Sequence, residues 1–185
     1  MSEQTNRQPG SPDLSVTRIN ALTPAELNDL CDATDAAIEA GGGFGWVKLP
    51  ARAVLERYWQ GVLAMPLRIL LVARVDGVIC GTAQLMRPPA NNEAQSFAVQ
   101  LTGTFIAPWA RGHGLGRRLL DLIEDTARKE GFSVINLDVR ESMTAAISLY
   151  ESAGYTRFGE HPFYARVDGQ VLKGFYYTKM IGPQT

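Results

Sequence analysis

Apolar and polar positions repeat with two different periods along this chain, and the change of period divides it. Leu14 to Leu22 fits a first strand. Thr23-Pro24-Ala25-Glu26 then reads as a helix start, with Thr23 as N-cap, Pro24 in the first turn and Glu26 placed for a capping box. The helix runs to about Ala40, with Leu27, Leu30, Cys31, Thr34 and Ile38 on one stripe. Gly41 to Trp46 ends it and opens a mobile loop, and a second helix spans roughly Arg52 to Leu63. The period then shortens. Arg68–Val75, Val78–Met86 and Phe97–Ile106 read as strands, the first two joined by Asp76-Gly77, a two-residue hairpin turn. These connections are too short for crossover helices, so this part of the sheet is antiparallel.

Helical spacing returns from about Leu115 to Glu130, with Leu115, Leu119, Leu122, Ile123 and Ala127 on the apolar face. Arg117–Asp121, Glu124–Arg128 and Asp125–Lys129 fall at i,i+4 on the exposed side. Gly131 stops this helix, and Val134–Val139 reads as a strand parallel to the one before it. Ser142 is placed to cap a short helix ending at Ala153. Strands around Tyr155–Gly159 and Lys173–Met180 close the chain, with a late loop between them. The fold class expected is α/β of the α+β type: a mixed, mostly antiparallel sheet flanked by helices.

Composition narrows the class. The 185 residues suit one domain, expected over residues 13–185 behind a flexible tail at 1–12. A net charge of -1 provides no global field for nucleic acid or acidic membranes. The longest apolar stretch, Ile69 to Ala73, is far short of a membrane span. Residues 1–12 lack the apolar core of a secretion signal. Cys31 and Cys80 lie in apolar surroundings without partner spacing, as expected of buried thiols in a reducing cytoplasm.

Candidate chemistry concentrates between Pro108 and the following helix, in Arg111-Gly112-His113-Gly114-Leu115-Gly116-Arg117. Glycines at alternate positions let the backbone curl with its N–H groups inward, and the helix adds its unpaired N-terminal donors. This is a seat for a phosphate or diphosphate; a plain tight turn is the competing reading. No Gly-Lys-Ser/Thr follows, so a P-loop is excluded. A dinucleotide fold needs G-x-G-x-x-G and successive βαβ units, whereas the spacing here is Gly112, Gly114, Gly116 after an antiparallel meander.

The run from Arg111 to Gly116 resembles the R/Q-x-x-G-x-G/A signature of the GCN5-related N-acetyltransferases (GNAT). Ile106-Ala107-Pro108 resembles the family's V-x-P, and Ala146…Leu149-Tyr150…Gly154-Tyr155 its A-x-x-L-Y-x-x-x-G-F. The resemblance follows element order over residues 14–181 and is most specific from Phe105 to Tyr155. Gly41–Trp46, Gly159–Ala165 and Asp168-Gly169 loosely resemble the tabtoxin-resistance acetyltransferase subgroup. One departure is Met143, where the family often has an Asn that contacts the cofactor.

The resemblance implies the GNAT fold, splayed between the strands on either side of the glycine-loop helix. It also implies acetyl-CoA as donor, no metal, a small-molecule primary amine as acceptor attacking directly in a ternary complex, and a homodimer formed through the last strands. On this reading the cofactor is held by Arg111, Gly112, His113, Gly114, Leu115, Gly116 and Arg117. A backbone N–H near Phe105 or Ile106 on the splayed strand reaches the thioester oxygen. Tyr150 is the candidate acid: a phenol of pKa ~10 facing a thiol of ~8.5 is about 2 kcal/mol uphill. For the base, Asp138 stands on a polar strand face, alternating with Asn136 and Arg140. Glu160, His161 and a water chain stay open as rivals. Phe44, Trp46, His161 and Tyr164 are expected around the acceptor, with Phe163 as a further wall. A nucleotide- or dinucleotide-binding oxidoreductase and a CoA-binding regulatory module without turnover are the alternatives.

Overall fold

The computed structural model describes residues 10–42 and 45–182. Its elements are β1 (Leu14–Ile19), α1 (Pro24–Glu39), α2 (Arg52–Ala64), β2 (Arg68–Val75), β3 (Val78–Met86), β4 (Ala98–Ile106), α3 (Leu115–Lys129), β5 (Val134–Arg140), α4 (Thr144–Ser152), β6 (Thr156–Val167) and β7 (Gln170–Met180). The strands form one seven-stranded sheet in the order β1-β2-β3-β4-β5-β7-β6. All pairs are antiparallel except β4 with β5, which α3 connects as a crossover.

The sheet is covered on both faces, which explains why β2 carries a continuous apolar run rather than an alternating one. Ile69 and Leu71 pack with Leu119, Leu120, Ile123 and Ala127 of α3. Leu70 and Val72 pack on the other side with Leu30 of α1 and Leu55 and Trp59 of α2. The capping box of α1 forms as expected: Thr23 Oγ1 accepts the Glu26 N–H at 3.2 Å, and Glu26 Oε2 accepts the Thr23 N–H at 2.9 Å. Arg74 also binds Glu26 at 2.7 Å. Cys31 and Cys80 are free and buried. Among the described residues no helix is long and apolar enough to cross a membrane.

Three local expectations change. β1 stops at Ile19, where its ladder with β2 ends, and Leu22 instead packs against the α1–α2 core. Ser142 does not cap α4. The chain first turns with the Met143 N–H on the Arg140 carbonyl at 3.0 Å, so the helix opens one residue later with Met143 in the cap position. The late loop is strand: β6 extends to Val167 and turns into β7 through Asp168-Gly169, both at positive φ. Gly159 and Pro162 read as strand breakers, but β6 is an edge strand whose register shifts between Arg157 and Gly159 and between His161 and Ala165. An edge with bulges tolerates both residues.

Candidate active site

The site begins where two parallel strands part. The β4–β5 ladder pairs Ala98–Leu101 with Val134–Leu137 and goes no further. The cause lies across the sheet in β3. Thr82 pairs with Phe105 and Gln84 with Thr102, so β4 has one more residue than β3 between these pairs. Gly103 takes up the bulge at φ +59, with its carbonyl accepting Thr82 Oγ1–H at 2.9 Å. A Cβ at residue 103 would stand 2.7 Å from Gln84 Nε2, so both the backbone angle and the space demand glycine. Gly103→Ala should therefore destabilise the fold by about 2 kcal/mol, lowering the melting temperature by roughly 4–8 °C in a calorimetric scan.

The opening between the strands holds two cavities. The first, about 450 Å³, is lined by Thr104, Phe105 and Ile106 of β4, by the glycine loop, and by Leu149 and Tyr150 of α4. Gly112 and Gly114 are left-handed at φ +84 and +75, and a Cβ on either would meet nothing within 4 Å. Among the described residues no hydrogen bond engages the N–H groups of residues 112–117; the first inward bond of α3 is Arg118 N–H on the Gly114 carbonyl. These amides, the axial dipole of α3 and the open space above them fit a diphosphate.

Other expected cofactor residues divide. Arg111 Nε donates to the Ile106 carbonyl at 3.1 Å, bracing the loop against β4, and the residue lines the cavity. Leu115 is buried in the core and, with Gly116, forms the cavity floor. His113 is exposed and outside the lining. Arg117 also lies outside it and pairs with Asp121 at 3.0 Å on the solvent face of α3. Met143 stands between the cavities, and a Cβ on Gly42 would touch its Cε at 3.5 Å. It is an apolar divider between them.

The second cavity, about 530 Å³, lies on the other side of the opening. Gly42, Thr104, Met143, Ala146 and Tyr150 line both cavities, so they meet at Tyr150. Tyr150 is 5% exposed and packs its ring 5.6 Å from that of Tyr155. Burial pushes its phenol up to about 12; the Asp138 charge adds to the shift and the neighbouring Thr104 hydroxyl opposes it. Thr104 Oγ1 is itself buried and unpartnered at this junction.

Asp138 and Tyr164 are brought together. Tyr164 Oη–H donates to Asp138 Oδ2, Gln100 Nε2–H donates to Oδ1 at 3.0 Å, and both Asp138 and Tyr164 line the second cavity. Desolvation and this bond push the Tyr164 phenol well above the usual range. Its ring lies over Gly174 of β7, where any side chain would overlap it. The rival bases do not reach the cavity. Glu160 is tied to Arg157 at 2.5 Å and Lys173 at 2.9 Å. His161 is exposed on β6, its Nδ1 accepting the Phe163 N–H at 3.0 Å. Phe163 is 76% exposed. Trp46 packs edge-on to Tyr58 at 5.0 Å, while its neighbours Gly45 and Val47 form the wall. Phe44 lies outside the described residues.

Sequence reading missed Gly103, Thr104, Gln100 and Arg68. A bulge depends on cross-strand register, which no local pattern carries.

The comparisons agree with this geometry. The acetyltransferase (GNAT) family matches residues 36–155. An uncharacterized N-acetyltransferase from the hisH-hisA intergenic region of Azospirillum brasilense is 60% identical over 130 residues, 70% of this chain and 77% of that one. The N-alpha-acetyltransferase RimI of Mycobacterium tuberculosis is 36% identical over 111 residues, 58% of this chain and 64% of that protein. Among solved structures, the yncA protein of Salmonella typhimurium with its cofactor acetyl-CoA superposes with a TM-score of 0.75 at 18% identity, over 92% of this chain and 95% of that one. Seven strands splayed at β4 and β5, an amide-rich turn into α3 and a matching family signature make this chain a member of the acetyltransferase (GNAT) family, an acyltransferase.

Proposed function

We propose that the enzyme moves the acetyl group of acetyl-CoA to the primary amine of a small molecule by direct attack, with both substrates bound at once. The observation that supports this reading is the meeting of two cavities at Tyr150, one floored by free amides and one lined by Asp138. The N–H groups of 112–117 hold the diphosphate. The edge of β4 left open beyond Leu101 offers backbone groups to the pantetheine arm, as an added strand would use them. Acetyl-CoA supplies the activated acyl group as a thioester.

On the acceptor side, Asp138 draws an alkylammonium into the cleft. Tyr164 and Gln100 take one lone pair on each carboxylate oxygen, fixing the group while leaving a second lone pair on each for the amine. Asp138 is then the first proton acceptor, and Tyr150 Oη holds a proton at the junction.

Thiol release from acetyl-CoA across a panel of primary amines tests the reading. Asp138→Asn should lower kcat/KM by roughly 10²–10³-fold. CoA bound without thiol release for any amine would favour a regulatory module, and NAD displacing CoA an oxidoreductase.

A further inference from the structure

The net charge of this chain is -1, yet the acceptor cavity is lined by Arg68, Arg140 and Arg166 with Asp138 as its one acidic side chain. Each oxygen of Asp138 accepts one hydrogen bond and keeps a lone pair for the amine, but one carboxylate does not balance three guanidinium groups. A primary amine enters as a cation, and like charge in a confined cleft repels it. An acceptor bearing only ammonium groups therefore fits poorly. One that also carries an anion turns part of this positive charge from an obstacle into a binding site.

Arg68 is the arginine that the fold sets in place. It opens β2, and its Nη1 donates to Oε1 of Gln84, a residue with 0% exposure in the middle of β3. Gln84 is held in turn by Nε2–H donation to Tyr58 Oη at 3.0 Å. Its amide fits because residue 103, in the bulge opposite, has no side chain. Arg68 Nε is directed to Met65 Sδ at 3.3 Å, which leaves Nη2 and the second Nη1 proton unpartnered among the described residues. A buried amide is expensive to keep unless bonded, and here its bonds serve to orient a guanidinium at the cavity wall. A planar guanidinium fixed in this way suits a carboxylate, which it can meet with two N–H groups.

We infer that the acceptor is a small amine that also bears a carboxylate, with Arg68 binding the carboxylate while the amine lies at Asp138 and Tyr150. This rests on the acetyl-transfer reading above. A cavity of about 530 Å³ accommodates such a molecule whole.

The experiment compares amino acids with their carboxamides as acceptors in the thiol-release assay. The carboxamide has the less basic amine, so bare reactivity at neutral pH favours it. The expected result is a kcat/KM ratio of about 30–100-fold in favour of the acids, the range of a charge-assisted hydrogen-bonded contact. Arg68→Met should bring the ratio to within threefold, and Arg68→Lys should leave an intermediate ratio because a point charge replaces the fork. Melting temperature and CoA affinity, read for each variant, separate this effect from misfolding.

Binding of the same pairs is measured by thermal shift with and without CoA, so the arginine cleft is judged even if turnover is absent. Equal ratios in the wild type, a ratio that survives in both variants, preference for a peptide N-terminus, or no acid bound under either condition would overturn the inference. CoA bound and neutral amines acetylated without preference would sink the inference alone. Failure of CoA to bind would sink the acetyl-transfer reading, and the thermal shifts would still decide on Arg68.

Discussion

Gly114→Glu is expected to weaken CoA binding by at least about a hundredfold. Gly114 is the N-cap of α3 at φ +75, and a Cβ there meets no protein atom within 4 Å. The protein side therefore contributes only backbone strain, about 1–2 kcal/mol. The new carboxylate, however, stands among the unpartnered amides of 112–117 and satisfies them itself. It also sets a negative charge against the diphosphate. Losing two charge-assisted hydrogen bonds of about 1.5–3 kcal/mol each weakens binding by roughly 10²–10⁴-fold. Isothermal titration reads this directly. Gly114→Ala separates the two causes, because it brings the strain without the charge and should weaken CoA by no more than about tenfold. Acetyl-pantetheine, which has no diphosphate, should bind equally weakly to wild type and Gly114→Glu. CoA affinity within threefold of wild type in Gly114→Glu would remove the glycine loop from the binding site.

That loop was legible because it is local. Alternate glycines, a helix start and the absence of a lysine all lie within ten residues, and the physics of a phosphate seat needs nothing from elsewhere. The start of α1 and the β2–β3 hairpin were legible for the same reason: the capping box and Asp76-Gly77 are short-range devices. Arg117 shows two local rules in competition. The loop suggested a phosphate ligand, while the i,i+4 spacing to Asp121 suggested a surface pair, and the helix geometry satisfied the second. Asp138 was visible as a polar residue in a strand and Tyr164 only as an aromatic of the expected late loop, and their bond is not legible, because β6 reaches β5 only across β7. The Arg68–Gln84–Tyr58 chain is less visible still. Arg68 reads as the polar first residue of an apolar strand, and Gln84 as one of two polar interruptions, with Thr82, in another. Only the bulge at Gly103 shows why a buried amide belongs there.

Tyr150→Phe is the sharper test of the chemistry, and it is expected to lower kcat by roughly 10²–10³-fold while changing the KM for acetyl-CoA less than twofold. The ring stays, so its packing with Tyr155 and the cavity walls is kept. Only the proton at the junction is lost. The burial that positions this phenol also pushes it up to about 12. Against a free thiol of ~8.5, full transfer is then uphill by about 5 kcal/mol, instead of the ~2 expected for an unperturbed tyrosine. Burial opposes every anion at this point, however, and a sulfur losing its acyl group in the same apolar space is raised as well. The two shifts offset each other, and the tyrosine donates where negative charge develops rather than before it. Two signs follow. Below pH 10 the group stays protonated, so the kcat profile should show no alkaline limb from Tyr150 between pH 8 and 10. Above pH 10 the unfolded chain ionises its tyrosine first, so the folded state binds more protons and its stability falls as pH rises toward 12. In Tyr150→Phe that decline should be shallower in denaturant melts across the same window. Wild-type kcat in the phenylalanine variant would show that the proton comes from elsewhere, with the buried Thr104 hydroxyl the next group to remove.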